Sequence, residues 1–139
     1  MPDTELPLTD FASLLAAARR QDEPQRLLFV FAQKELPDQP TAQQRRRFES
    51  GQGGSLRPCL CVDKAPEDLT SFAALAAESE ATGLAWDVVF ISSLAGRGGI
   101  APNPDQADQP LHFMVQAIND GRVDEFIAFD RSGNTLKFI

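Results

Sequence analysis

Along the chain, apolar positions alternate between helix-like and strand-like spacing. From Leu8, the residues Phe11, Leu14, Leu15 and Ala18 keep the i, i+3, i+4, i+7 rhythm of an amphipathic helix, with Thr9 or Asp10 as its cap and Pro24 beyond its end. Arg26 to Gln33 then holds the unbroken run Leu27-Leu28-Phe29-Val30-Phe31-Ala32, short for a helix and suited to a central strand covered on both faces. After Pro37 and Pro40, Thr41 and Gln44 have the spacing of a capping box. They open a short helix to Ser50 whose large apolar anchor is Phe48. The second strand, Leu56 to Asp63, places Leu56, Pro58, Leu60 and Val62 on one face and Arg57, Cys59, Cys61 and Asp63 on the other. Pro58 lacks an N–H, so the strand is an edge or begins there.

A third helix opens at Pro66, with Glu67 and Asp68 at its positive end and a stripe of Leu69, Phe72, Ala73 and Ala76, and closes at Gly83. Trp86 to Leu94, centred on Val88-Val89-Phe90-Ile91, reads as another central strand. The stretch Ala95 to Asp108, rich in Gly and Pro, is long for a connection and therefore a candidate functional loop. A fourth helix has Pro110 near its start, Leu111, Met114, Val115 and Ile118 on one face and Gly121 as its stop. Strands Glu125 to Phe129 and Thr135 to Ile139 flank Asp130-Arg131-Ser132-Gly133, a tight turn.

The order α-β-α-β-α-β-α-β-β predicts one α/β domain over residues 1–139: three layers around a mixed, mostly parallel five-stranded sheet with a C-terminal antiparallel hairpin. The alternative is an α+β fold in which the first two strands pair antiparallel.

Composition narrows the function classes. With 13 Lys and Arg against 20 Asp and Glu, the net charge of −7 argues against a general nucleic-acid binder. No apolar run approaches the roughly 20 residues of a membrane span. The start MPDTELPLTD lacks the basic and apolar segments of a secretory signal, which predicts a cytoplasmic protein.

Candidate chemistry gathers at strand ends. In a parallel sheet, Lys34 and Glu35, Asp63 and Lys64, Ser92 and Ser93, Arg97, and Asp130 with Arg131 would share the carboxyl edge where open α/β folds bind ligands. Lys34, Lys64 and Arg97 beside the backbone amides of Gly98 and Gly99 would suit a small anionic ligand, with Asp63 or Ser92 orienting it. That site disperses if strands one and two are antiparallel. Neither glycine cluster, Gly51-Gln52-Gly53-Gly54 or Gly96-Arg97-Gly98-Gly99, matches GxxxxGK(S/T) or GxGxxG, so no cofactor is expected. Cys59 and Cys61, on one strand face, could share a soft metal with His112. Their spacing departs from C-x-x-C, and small buried hydrophobes with no metal are the expectation. Arg45-Arg46-Arg47 reads as a solvated helix face, with docking of an acidic partner as the alternative. Phe113 falls off the apolar stripe of its helix and, with Ala12 and Ala16, suggests a subunit contact and a homodimer.

At LLFVFAQKELP, CVDKAPEDLTSFAAL, the GRGG loop and the closing FIAFDRSGN, the chain resembles a small family of bacterial proteins of about this length, often labelled ribonucleotide reductase alpha subunit. The resemblance implies a bacterial, cytoplasmic, single-domain protein and brings no catalytic residues. The functional expectation is a non-enzymatic protein-binding or regulatory module. The alternative is an enzyme or sensor that binds a small anionic metabolite or nucleotide at the sheet edge.

Overall fold

The computed structural model describes residues 10–35, 39, 41–49 and 55–136, apart from the side chains of 47–49 and 55. Helix α1, Phe11–Arg19, begins where Asp10 Oδ1 accepts from the Ser13 N–H at 2.7 Å. Strand β1, Gln25–Glu35, follows, then α2, Ala42–Glu49, and β2, Ser55–Lys64. At α2 the capping box is present: the Gln44 N–H donates to Thr41 Oγ1 at 3.0 Å and the Thr41 N–H to Gln44 Oε1 at 2.9 Å. Phe48, its expected anchor, lies outside the described side chains.

A short 3₁₀ turn at Pro66–Asp68 replaces the predicted start of the third helix; α3 runs Phe72–Glu80 behind its own N-cap, Ser71. Ala73 is exposed, so the buried side of α3 is carried by Leu75 instead. Strand β3 is Val88–Ala95, helix α4 is Pro104–Asn119 and strand β4 is Ile127–Asp130.

The sheet order is β2-β1-β3-β4 and every pairing is antiparallel. This overturns the mostly parallel five-stranded sheet. The apolar run of β1 reports burial on two faces, which helices on both sides supply whatever the strand direction. The connection through α2 does not impose a parallel crossover, and β1 and β2 pair directly, Leu28 opposite Asp63 and Lys34 opposite Leu56. Of the expected fifth strand, Thr135 forms a bridge to Phe129 and the Leu136 N–H donates to the Ala128 carbonyl; residues 137–139 lie outside the described residues. The turn itself is present, with Gly133 at φ +84°.

Two cores flank the sheet. On one face, Leu27, Phe29 and Phe31 of β1 meet α1 and α3 in a cluster that also holds Trp86, Val89, Ile91 and Phe129. Its rings meet edge-on, Phe31 against Trp86 at 5.0 Å and Phe11 against Phe72 at 5.6 Å. On the other face Leu28, Val30 and Ala32 pack with Val88, Phe90 and Ala128 under α4, through Ala107, Leu111, Met114 and Ile118. Among the described residues no helix is long and apolar enough to cross a membrane.

Helix α4 starts well before Pro110, because Asn103 and Gln106 form a full capping box ahead of it. Pro110 sits inside the helix, where it leaves the Gln106 carbonyl without its usual i+4 donor.

Candidate functional site

Antiparallel pairing divides the predicted ligand residues between the two ends of the sheet. Asp63, Leu28 and Ser92 form one row across three strands, and Lys64, Leu27 and Ser93 the next. The turn carrying Arg97, Gly98 and Gly99 follows β3 at that same end. Lys34 lies six β1 residues from the Asp63 row, about 20 Å along the strand. It shares its end with Asp130, which is opposite Val88. The carboxyl edge expected to gather all of them therefore does not exist.

At the end where β1 begins, most charge is already paired within the chain. Arg26 Nε lies 2.5 Å from Asp63 Oδ2, and Lys64 Nζ lies 2.8 Å from Glu78 Oε1. Arg97 and Ile100 bridge each other around Gly98 and Gly99, whose φ values of +60° and +81° are those of the tight turn favoured in hairpins. The N–H groups of Gly98 and Gly99 donate to the Glu23 carboxylate at 3.0 and 2.7 Å. The glycine amides do bind an anion, and it is the chain's own Glu23. Gly96 anchors the base of the turn by donating to the Pro24 carbonyl at 2.8 Å; a Cβ there would sit 2.1 Å from the Ile100 carbonyl oxygen.

The result is a stiff projection. Ile100 is 74% exposed beside the Gly98-Gly99 tip, and the Arg97 side chain has no partner among the described residues. Beside it lies an open cleft of about 580 Å³ lined by Leu94, Ala95, Gly96, Arg97, Ile100, Ala101, Pro102 and Gln106. On the opposite face, a smaller groove of about 330 Å³ between α1 and the sheet includes Ser92, Ser93, Gln21, Gln25 and Glu125 in its lining. Ser92 thus borders a groove whose formal charge is negative, the reverse of the expected anion site.

At the other end, charge serves the core. The Arg131 guanidinium lies 4.7 Å above the Trp86 ring, donates to the Trp86 carbonyl at 3.2 Å and pairs with Glu80. The Trp86 indole N–H donates to the buried Ser79 Oγ at 2.7 Å, and Ser79 donates on to the Ala76 carbonyl. The Lys34 backbone N–H, not its ammonium, donates to Asp87 Oδ2 at 2.8 Å.

No family model, curated protein or solved structure matches the chain.

The remaining candidates resolve locally. A bulge between Phe31 and Ala32 pairs them with Leu60 and Pro58, leaving Cys59 opposite no β1 residue. Alternation therefore breaks: Leu60 and Val62 join the aromatic core, while Leu56 joins the core under α4. Cys61, opposite Val30, is exposed on the α4 side and Cys59 packs on the aromatic side, so the two do not share a face as predicted. Burial raises both thiols above their ordinary range, which disfavours the thiolate. Among the described residues no group of three His, Cys, Asp or Glu has metal-binding geometry. His112 faces Gln116 at 3.3 Å on the outer side of α4. Arg45 and Arg46 are exposed; the Arg47 side chain lies outside the described set. Phe113 is 52% exposed, with the Arg122 guanidinium 5.9 Å from its ring centre. Ala12 is exposed and Ala16 half-buried on α1.

Sequence reasoning missed Glu23, Arg26, Ile100 and Gln106. Consecutive glycines between Arg97 and Ile100 are a tight-turn signal that could have placed Ile100 beside a tip. Glu23 has no such local signal, since it meets the turn 75 residues later.

Proposed function

We propose that this domain is a non-enzymatic, regulatory protein-binding module of the bacterial cytoplasm, docking through the Arg97–Ile100 turn and the outer side of α4 at Phe113. The observation that carries the reading is Ile100, a large aliphatic side chain held in solvent by a turn that Glu23 and Pro24 fix in place. Apolar side chains on rigid supports make good anchors, because little conformational entropy remains to be lost on binding. The internal pairing of Asp63 with Arg26, Lys64 with Glu78 and the glycine amides with Glu23 favours this reading over a broad anion site, since a ligand would have to displace each contact.

The test compares wild type with Ile100→Ser and Phe113→Ser in two measurements: mass in solution by light scattering, and recovery of cross-linked partners from the native cytosol. Both substitutions are at exposed positions and should leave the fold intact. The expected result is loss of a defined complex, either with a second copy or with another protein, by tenfold or more in at least one variant. Unchanged mass and unchanged partners in both variants would refute the reading.

A further inference from the structure

We infer that the cleft beside the turn is a binding site for a small carboxylic acid bearing an apolar chain. The wall is largely aliphatic: Leu94, Ala95, Ala101, Pro102 and Ile100. The polar side chains that line it are donors. Arg97 carries only N–H groups and has no acceptor among the described residues. Gln106 has its Oε1 engaged by the Asn103 N–H at 2.8 Å, which leaves its NH₂ group to offer.

The same capping box places Gln106 in the first turn of the sixteen-residue α4, so the positive end of that helix adds to the charge of Arg97. The carboxylates on the flanking segments, Asp22, Glu23, Asp105 and Asp108, are not among the lining residues, and Glu23 is held by the turn amides. Donors in an apolar cleft select a ligand that brings acceptors and an apolar body, and a carboxylate meets a guanidinium in bidentate fashion. The backbone amides of the turn take no part, since Arg97 and Ile100 bond each other and Gly98 and Gly99 bond Glu23. This distinguishes the site from a glycine phosphate loop: recognition falls to side chains and leaves the turn unmoved.

The groove on the opposite face supplies an internal control, because Glu125 is the formally charged residue of its lining. The two should sort probes by sign.

The experiment titrates octanoate, octylammonium and octanol into the ¹⁵N-labelled full chain and follows backbone amide shifts. Octanoate should move the amides of Gly96 to Ala101 and Gln106 with saturation, octylammonium should not, and Arg97→Gln should weaken octanoate at least tenfold with the rest of the spectrum preserved. Equal response to octanoate and octylammonium, saturation at the Glu125 groove instead, or an unchanged affinity in Arg97→Gln would overturn the assignment. A short peptide ending in a free valine that binds at least tenfold tighter than octanoate would overturn the small-acid identity in favour of a protein terminus. The docking reading shares Arg97 and Ile100 with this cleft but is read by complex mass and partner recovery in Ile100→Ser and Phe113→Ser, whereas this site is read by octanoate affinity in Arg97→Gln, so the two can fail separately.

Discussion

The two ends of the sheet carry similar side chains and use them differently. Where β1 ends, Arg131 covers Trp86 and pairs with Glu80, and Asp87 takes the Lys34 N–H. Charge there closes the aromatic core. Where β1 begins, Glu23 locks the Gly98-Gly99 turn, Arg26 and Lys64 are paired, and Arg97 and Ile100 are left facing solvent beside a cleft. A cluster of charge at a strand end is therefore not a site in itself. What matters is which groups stay uncommitted once the chain has satisfied its own.

The largest effect that would break the contrast belongs to the core-closing end. Trp86→Ala removes a buried indole, its edge contacts with Phe31 and Phe72 and the platform under Arg131; it should cost about 3–5 kcal/mol in urea unfolding. Ser79→Ala, which strands the buried indole N–H, should cost about 1–3 kcal/mol by the same measurement. At the opposite end, Glu23→Gln loses two charge-assisted bonds at a half-exposed position and should cost about 1 kcal/mol. It should also speed hydrogen exchange at Gly98 and Gly99. Arg97→Ala should change stability by less than about 0.5 kcal/mol, because nothing in the described fold rests on its side chain. A larger loss would mean that this end, too, uses its charge for folding.

The finest test lies at α1. Hydrogen bonds from the Ser13 hydroxyl and N–H hold the Asp10 carboxyl below the ordinary carboxylate range. A depressed folded value stabilises above the unfolded pKa and is lost as pH falls through the folded one. Wild type should exceed Asp10→Asn in stability at neutral pH. That gap should shrink below about pH 4, the ordinary carboxylate value; a gap independent of pH would contradict the assignment.

Much of the fold was legible where local pattern and tertiary burial agree. The continuous run of β1, the Thr41–Gln44 box, the Asp10 cap and Gly133 in its turn each follow from residues within a few positions of one another. Strand direction was not legible, because a helix between two strands and apolar residues on both faces fit parallel and antiparallel sheets alike. That error carried into the candidate site, setting Lys34 beside Lys64 when antiparallel pairing places them at opposite ends. The alternation of β2 failed at Cys59 for a related reason: the bulge is fixed by pairing with β1 and not by β2 alone. Arg97 and the two glycines were read together as an anion site, but the glycine amides are taken by Glu23, an anion from distant sequence.

The central claim is that the Arg97–Ile100 end is the docking end and the core-closing end is not. A photo-cross-linking residue placed in turn at Ile100, Phe113 and Leu84 tests it directly, since all three are exposed, at 74%, 52% and 38%, and Leu84 lies just before β3 at the core-closing end. Irradiation in living cells should give one discrete cross-linked species from positions 100 and 113 and none from 84. Equal cross-linking at all three, or cross-linking from 84 alone, would contradict the account.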